Sequence, residues 1–119
     1  AAGSVTYGLP FSRSALKGHG VHFGAGALIA IPADPCPALV LEAIADYLLG
    51  AGAGQCAPCV LGLAAARQDL QRGEPVRDRV QGRGLCAHPT ATLAALQSGQ
   101  RLLAGELAAH AHGRCEVTP

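Results

Sequence analysis

The sequence predicts a mainly α-helical protein: a four-helix up-down bundle over residues 34–113, preceded by a fragment of another domain over 1–33 and followed by a tail, 114–119. Three observations predict this arrangement. Apolar residues recur at helical spacing after residue 34. Glycine or proline separates the periodic segments by short connections, which favour antiparallel neighbours. Only 3% of the 119 residues are aromatic and Met and Trp are absent, so small aliphatic side chains must form the core.

The N-terminal part is glycine-rich and is expected to be mostly extended. Ser12 is placed to cap one short helical turn that runs through Lys17. The apolar run 27–31 predicts a buried strand, ended by Pro32. Because one strand and one turn leave backbone groups unpaired, we expect 1–33 to be the end of a domain whose beginning is missing.

Two helices are predicted on either side of a glycine-rich loop. Gly50 ends the first, and the second has Pro58 near its first turn and Gly73 at its end. The apolar stripe of the first helix consists of Val40, Leu41, Ile44, Tyr47 and Leu48. The stripe of the second consists of Leu63, Ala66 and Leu70. Both stripes are expected to face the core.

Two further helices complete the predicted bundle. A short third helix over 75–81 is predicted from Val76 and Val80, which lie four residues apart. The last helix is expected to start near residues 90–92 and to stop at Gly113. Its core-facing residues are Leu93, Leu96, Leu103 and Leu107.

Charge and hydropathy exclude several classes of function. The formal net charge of +1, without any run of basic residues, disfavours nucleic-acid binding. The charge-free stretch 50–66 is punctuated by glycine like a loop, and the N-terminus lacks the pattern of an export signal. We therefore expect a cytoplasmic protein without direct membrane insertion. No Ser/His/Asp order, phosphate loop or paired carboxylates indicate a complete enzyme. Four histidines are expected to be solvated, namely His19, His22, His110 and His112.

Five cysteines carry the strongest chemical signal. Cys56 and Cys59 form a C-x2-C pair at a predicted helix start, directly after the glycine-rich loop. Exposed helix N–H groups stabilise thiolates, and glycines let backbone amides approach sulfur. The pair by itself fits a zinc site, a thioredoxin-like redox pair or an iron–sulfur site.

The predicted topology selects a third cysteine for the same site. In an up-down bundle, Cys56, Cys59 and Cys86 meet at one end. Cys36 lies one helix length away, roughly 20 Å from Cys56, and Cys115 lies at the far end of the last helix. We expect Cys36 and Cys115 to be free thiols. Three converging thiolates fit a metal site better than a dithiol switch.

A fourth ligand is missing from this set. Four ligands are the rule for structural zinc and for most iron–sulfur clusters. His88, two residues after Cys86, is the nearest ionisable candidate. We expect a histidine at such a position more often to cap or line a helix start than to bind metal.

Two cysteine-containing stretches have a recognisable pattern, GQCAPCVLG at 54–62 and GRGLC at 82–86. The first resembles the cluster-binding stretch S-C-G-x-C-x-P-C-R-x-G, and the second the segment with the last cysteine, of a known family: the flavoprotein (NADH-binding) subunit of NADH–quinone oxidoreductase and related hydrogenases and formate dehydrogenases. The residues LP at 9–10, Leu16 and GAGALIA at 24–30 resemble the end of the family's soluble-ligand-binding β-grasp domain.

The resemblance implies an electron-transfer module. The family's helical domain holds a 4Fe–4S cluster that receives electrons from FMN reduced by NADH. Cys56, Cys59 and Cys86 would bind iron, and three loop residues, Gly52, Gly54 and Gln55, would donate amide hydrogen bonds to cluster sulfur. The FMN and NAD sites belong to a missing N-terminal domain. Its partners would be that flavin domain or other oxidoreductase subunits, so the chain would not be catalytic alone.

One position departs from the family pattern. The family's first cysteine falls on Ala53. Four outcomes stay open: a 4Fe–4S cluster with a ligand such as His88 or water, a 3Fe–4S cluster on three thiolates, zinc, or an empty site. The alternative function is a non-catalytic helical docking domain whose cluster site has decayed, supported by Ala53 and the high apolar content.

Overall fold

The computed structural model describes residues 8–21, 24, 26, 30 and 35–114. This part of the chain is mainly helical, as the sequence predicts. The chain divides into two compact units, Ala1–Pro32 and Ala33–Pro119. None of the helices among the described residues has the length and the apolar character needed to cross a membrane.

The first unit contains one short helix, α1, over Arg13–Gly18. Ser12 precedes it in an extended conformation, and its hydroxyl accepts a hydrogen bond from the N–H of Ala15 at 3.3 Å. The capped turn predicted at this position is therefore confirmed. The strand predicted over 27–31 lies outside the described residues except for Ala30, which has no regular secondary structure.

The second unit contains the remaining helices. Helix α2 spans Pro37–Gly50, a π-helical turn spans Pro58–Gly62 and continues directly into α3 over Leu63–Gln71, α4 spans His88–Leu102, and α5 spans Ala104–Ala111. Helix α2 contacts α3, α4 and α5, and α3 contacts α4. Pro58 begins the π turn and Gly73, at φ 67°, follows the end of α3, as predicted.

The stripe predicted for α2 is only partly correct. Tyr47 is 74% exposed and Ile44 is 38% exposed. The buried face consists of Ala38, Leu41 and Ala45. Small residues let α2 approach its neighbours closely: a Cβ at Gly99 of α4 would lie only 2.5 Å from a methyl carbon of Leu41. This close contact decides which face of α2 turns inward.

The stripes predicted for the second and last helices are confirmed. Leu63, Ala66 and Leu70 of α3 are buried, as are Leu93 and Leu96 of α4. Leu103 and Leu107 are partly buried and pack against this cluster. The predicted single last helix begins at His88 and is divided by Leu103, whose N–H still donates to the carbonyl of Gly99 at 2.9 Å.

The third helix predicted over 75–81 is wrong. These residues have no helical structure, although Val76 and Val80 are buried as expected. A spacing of four places two residues on one side of an extended chain as well as on one face of a helix. The conformation is decided by side chains from α4: Gln100 accepts from the Val76 N–H at 2.9 Å, and Gln97 donates to the Val76 carbonyl at 3.1 Å.

A buried carboxylate fixes the same connection from the other side. Asp69 of α3 accepts from the backbone N–H of Arg77 at 3.1 Å and from two nitrogens of the Arg79 guanidinium at 2.5 and 3.2 Å. The Asp69 side chain is only 6% exposed. The Arg79 guanidinium, followed by the Arg77 amide, holds the pKa of Asp69 below its usual value. These contacts hold the chain between α3 and α4 in a non-helical path.

Candidate metal centre

The cysteine pair lies where the loop after α2 enters the π turn. The Cys56 carbonyl accepts hydrogen bonds from the N–H groups of Cys59 and Val60, both at 3.1 Å, and this closes a tight turn between the two cysteines. Pro58 has no N–H to satisfy, which suits it to the first position of the turn. The N–H of Leu63 donates to the Pro58 carbonyl five residues earlier, and this bond makes the turn π-helical.

Cys56 is surrounded by hydrogen-bond donors. The backbone amides of Leu85 and Cys59 lie beside its sulfur. The Leu85 amide is the largest of the effects that lower the pKa of the Cys56 thiol, and the Cys59 amide is the next. Backbone amides stabilise a thiolate because they place partial positive charge against it. The donor at position 85 also joins this cysteine to the segment that carries Cys86.

The surroundings of Cys59 shift the pKa of its thiol in the opposite direction. Burial raises the pKa of the Cys59 thiol, and the hydrogen bond and charge shared with Cys56 raise it further. The charge of Cys86 also raises it, while the backbone N–H of Gly54 lowers it. Cys56 and Cys86 therefore both lie close enough to Cys59 to raise the pKa of its thiol.

The segment with Cys86 is a series of turns and bends over 81–87. Gly82 has φ +67°, a conformation that glycine adopts without strain. A Cβ at Gly84 would lie 2.8 Å from Cγ of Pro89, so a larger residue would push the segment away from α4. Cys86 itself is exposed. The two glycines of the GRGLC motif therefore shape the path that brings Leu85 to Cys56.

A close backbone contact brings this segment to the C-x2-C pair. Gly62, at the end of the π turn, is buried, and a Cβ there would overlap the side chain of Val80. Val80 is fully buried. Only glycine at position 62 permits this close approach. The contact fixes the position of Val80, from which the chain continues into the segment 82–86.

His88 is the first residue of α4. Its Nε2 lies 2.9 Å from the Leu48 carbonyl oxygen, and the Thr92 hydroxyl lies 3.5 Å from the same nitrogen. Because a carbonyl only accepts, Nε2 must donate this bond, and in the neutral ring the lone pair is then on Nδ1. The histidine ties the start of α4 to the end of α2, which is the packing role expected of it. Ligation would have to use Nδ1.

The loop amides differ in their partners. The N–H of Gly52 donates to the Leu49 carbonyl at 3.2 Å and so belongs to the end of α2. Gly54 has φ +65°, and its N–H faces the Cys59 thiol and lowers the pKa of that thiol. The Gln55 side chain donates to the Ala53 carbonyl at 3.2 Å. Sequence reasoning missed the amides of Leu85 and Cys59, because no residue type reports where a backbone N–H points.

Among the described residues, no group of three or more His, Cys, Asp or Glu is arranged so that it could hold a metal ion. Thiolates around a single zinc at about 2.3 Å must lie within about 4 Å of one another. The cysteines of an iron–sulfur cluster bind different irons and stand further apart. The arrangement therefore lacks a preformed single-ion site, while the amide hydrogen bonds to sulfur are of the kind that cluster cysteines receive.

The opposite end of α2 carries a different cysteine. Cys36 is buried, and its sulfur lies 3.4 Å from Nδ1 of His110. His110 is therefore not the solvated residue expected from the sequence. His19 is exposed, and the exposed His112 bonds the Ala108 carbonyl at 2.7 Å through Nδ1. The expectations for His22 and Cys115 lie outside the described residues.

Comparison with protein-family models, with curated proteins and with solved structures finds no match for this chain.

Proposed function

We propose that this chain is an electron-transfer module that binds an iron–sulfur cluster, 4Fe–4S or 3Fe–4S, through Cys56, Cys59 and Cys86. One observation carries the proposal: the Leu85 amide lies close enough to the Cys56 thiol to lower its pKa, which places the segment next to Cys86 beside the C-x2-C pair. A dithiol switch needs two sulfurs, and here a third is near enough to affect the pKa of Cys59.

A bound cluster would supply one-electron chemistry by changing its oxidation state. The residues of the chain have three tasks in this proposal. The three thiolates hold iron, and the amides of Leu85, Cys59 and Gly54 donate to their sulfurs. Such donation favours the more negative, reduced state, so the loop sets the reduction potential as well as the fit.

Cys86 is the proposed ligand whose position can adjust most easily. It is exposed and lies among turns that contain Gly82, so its segment adjusts at lower cost than a helix would. The exposed Ala53 supplies no ligand at the position where the resembled family has cysteine. We propose that a fourth iron, where present, takes His88 Nδ1 or water, and that a 3Fe–4S cluster needs neither.

The finer architecture belongs to the same proposal. We propose that 34–113 is the cluster-binding helical bundle, with the extended connection in place of its third helix, and that 1–33 is the end of a β-grasp domain. Electrons would come from a flavin domain elsewhere that binds FMN and NAD. By itself the chain then relays electrons without oxidising NADH, in a cytoplasmic assembly with other oxidoreductase subunits.

Iron and acid-labile sulfide analysis after anaerobic reconstitution tests the proposal. We expect a brown protein with three or four irons per chain. Cys59→Ser should lose most of this iron because it removes a ligand from the turn. Cys36→Ser is the matched control: this cysteine lies about 20 Å away along α2, so iron content should be unchanged. A colourless wild-type protein without iron would contradict the proposal. An equal loss of iron in Cys59→Ser and Cys36→Ser would contradict the choice of ligands.

A second candidate is the non-catalytic helical docking domain whose cluster site has decayed. The observation that favours it is the absence, among the described side chains, of any preassembled group for a metal ion. In this case the three thiols titrate freely with a thiol reagent in the purified protein, and thermal melting is the same with and without iron. A rise in melting temperature on reconstitution would exclude this candidate.

A further inference from the structure

An open groove lies beside the cysteine pair, between the start of the helical segment 58–71 and the chain at 79–83. Its volume is about 540 Å³. It is lined by Ala57, Pro58, Leu61, Gly62, Ala65, Arg79 and Arg83. Its first two lining residues stand between Cys56 and Cys59 in the chain, so whatever fills the groove lies next to these cysteines.

The lining of this groove is mostly apolar: it includes Ala57, Pro58, Ala65 and Leu61, whose side chain is 68% exposed. Two further exposed apolar residues lie near the cysteines in the chain, Val60 at 53% and Leu85 at 80%. Large apolar side chains grouped at a surface mark interaction sites more often than scattered ones do. Leu61, Val60 and Leu85 all flank the cysteines along the chain.

The charge of the groove is of one sign. Its charged lining residues are Arg79 and Arg83, and no carboxylate lines it. Arg79 forms an ion pair with the buried Asp69, whereas Arg83 has no acidic partner within the described part of the chain. The N-terminal end of the helical segment, which begins at Pro58, adds partial positive charge.

We propose that this groove docks a partner protein through a segment in which acidic side chains alternate with leucine-like ones. The apolar side chains would fill the groove over Leu61, and a carboxylate would bond the Arg83 guanidinium. Charge complementarity selects this occupant: a basic segment would be repelled by Arg83 and the helix terminus, and a purely polar one would leave the apolar side chain of Leu61 exposed. Docking at this place brings the partner to the cysteines, as an electron-transfer module requires, but does not itself depend on a cluster.

Fluorescence anisotropy with labelled heptapeptides tests the proposal on the full chain. The probe is EDLELDE, and the comparison peptides are EDSESDE, without apolar side chains, and KKLKLKK, with reversed charge. We expect weak binding of EDLELDE, stronger at low salt, and at least about fivefold weaker binding of either comparison peptide. Arg83→Gln and Leu61→Ser should each weaken EDLELDE binding about fivefold. Both sites are exposed, so the fold should be retained.

Arg72→Gln is the matched control, because Arg72 is exposed and does not line this groove. Its binding should equal that of the wild type. Binding of KKLKLKK as tight as that of EDLELDE, no effect of Arg83→Gln, or no binding at about 1 mM peptide would each overturn the proposal. Iron content is measured on the same samples, so that the two proposals are tested separately. A colourless protein that binds EDLELDE would contradict the cluster and support the docking site. An iron-loaded protein that does not bind EDLELDE would support the cluster and contradict the docking site.

Discussion

The helices of the second unit and the connection between α3 and α4 are held by different kinds of interaction. Helices α3 and α4 pack through fully buried aliphatic side chains such as Leu63 and Leu96. The connection buries Val76 and Val80, but its path is set by hydrogen bonds that its backbone N–H groups donate to Asp69 and Gln100, which lie on the two helices beside it. Helix positions thus follow from local apolar spacing, whereas the path of the connection follows from polar groups distant in sequence.

The two regions contribute different cysteines to the proposed site. The loop and π turn place Cys56 and Cys59 at the start of a helical segment. The connection places Cys86. A change that loosens the connection alone should therefore separate the sulfurs while it leaves the helices folded.

The largest effect on stability is expected in the helical part. Leu96→Ala removes a fully buried side chain and should lower the free energy of unfolding by about 2–5 kcal/mol. Urea denaturation followed by circular dichroism measures it. Leu102→Ala, at a residue 47% exposed on the same helix, is the control, with a loss below about 1 kcal/mol. Equal losses in the two variants would contradict the assigned core.

The next effect is expected in the connection. Asp69→Asn weakens the bonds to Arg79 and to the Arg77 amide and should cost about 1–3 kcal/mol. Asp46→Asn is the control, because Asp46 pairs with Arg67 in an exposed position and should cost less. A larger loss in Asp46→Asn would show that the buried carboxylate is not what fixes the connection.

The pH dependence of stability tests the same contact between Asp69 and Arg79. The Arg79 guanidinium lowers the pKa of Asp69 in the folded state below 3.8, so the stability from this carboxylate is complete above that pH. It is lost as the pH falls through the lower, folded-state pKa. Unfolding free energies measured between about pH 5 and 2 should fall more steeply for the wild type than for Asp69→Asn. Identical slopes would contradict the assignment.

A steric contact links the two regions. Gly62→Ala places a Cβ against Val80 and should cost about 1–3 kcal/mol because the connection must shift. Gly105→Ala, in α5, has open space around it and should be neutral or slightly stabilising. Thermal melting compares the two variants. A stabilised Gly62→Ala protein would mean that the approach is looser than described.

The smallest effect is expected for a single polar contact of the connection. Gln100→Ala removes the acceptor of the Val76 N–H and a donor to the Glu74 carbonyl, at about 0.5–1.5 kcal/mol. Hydrogen exchange should then be faster at Val76 and unchanged at Leu63, which checks that only the connection opens. Gln55→Ala in the loop is the control. Uniform acceleration across the unit would contradict independent fixing of the connection.

Much of the helical part could be predicted from the sequence. Apolar spacing identified the buried faces of α3 and α4, and capping chemistry identified Ser12, Pro58 and Gly73. The face of α2 was misjudged because Ala38 and Ala45 weigh little in a hydrophobic pattern, although small residues permit the closest packing. The third helix was wrong because the spacing of Val76 and Val80 suits two conformations, and the polar contacts that decide between them come from other elements.

The candidate site was predictable in its residues more than in its geometry. Spacing and helix order indicated Cys56, Cys59 and Cys86 as one set. The amide donors at 59 and 85 could not be predicted, because their direction depends on the π turn and on the path of the connection. Nor could the bond from His88 to the Leu48 carbonyl, which needs the start of one helix to meet the end of another.

Electron paramagnetic resonance of the anaerobically reconstituted protein tests the central claim, that three cysteines from two differently built regions hold one cluster. We expect an iron–sulfur signal, in the oxidised sample for a 3Fe–4S centre or after reduction for a 4Fe–4S centre. It should be lost in Cys59→Ser and in Cys86→Ser and kept in Cys36→Ser. No cluster signal from the wild type in either state, or a signal that survives Cys86→Ser unchanged, would contradict it.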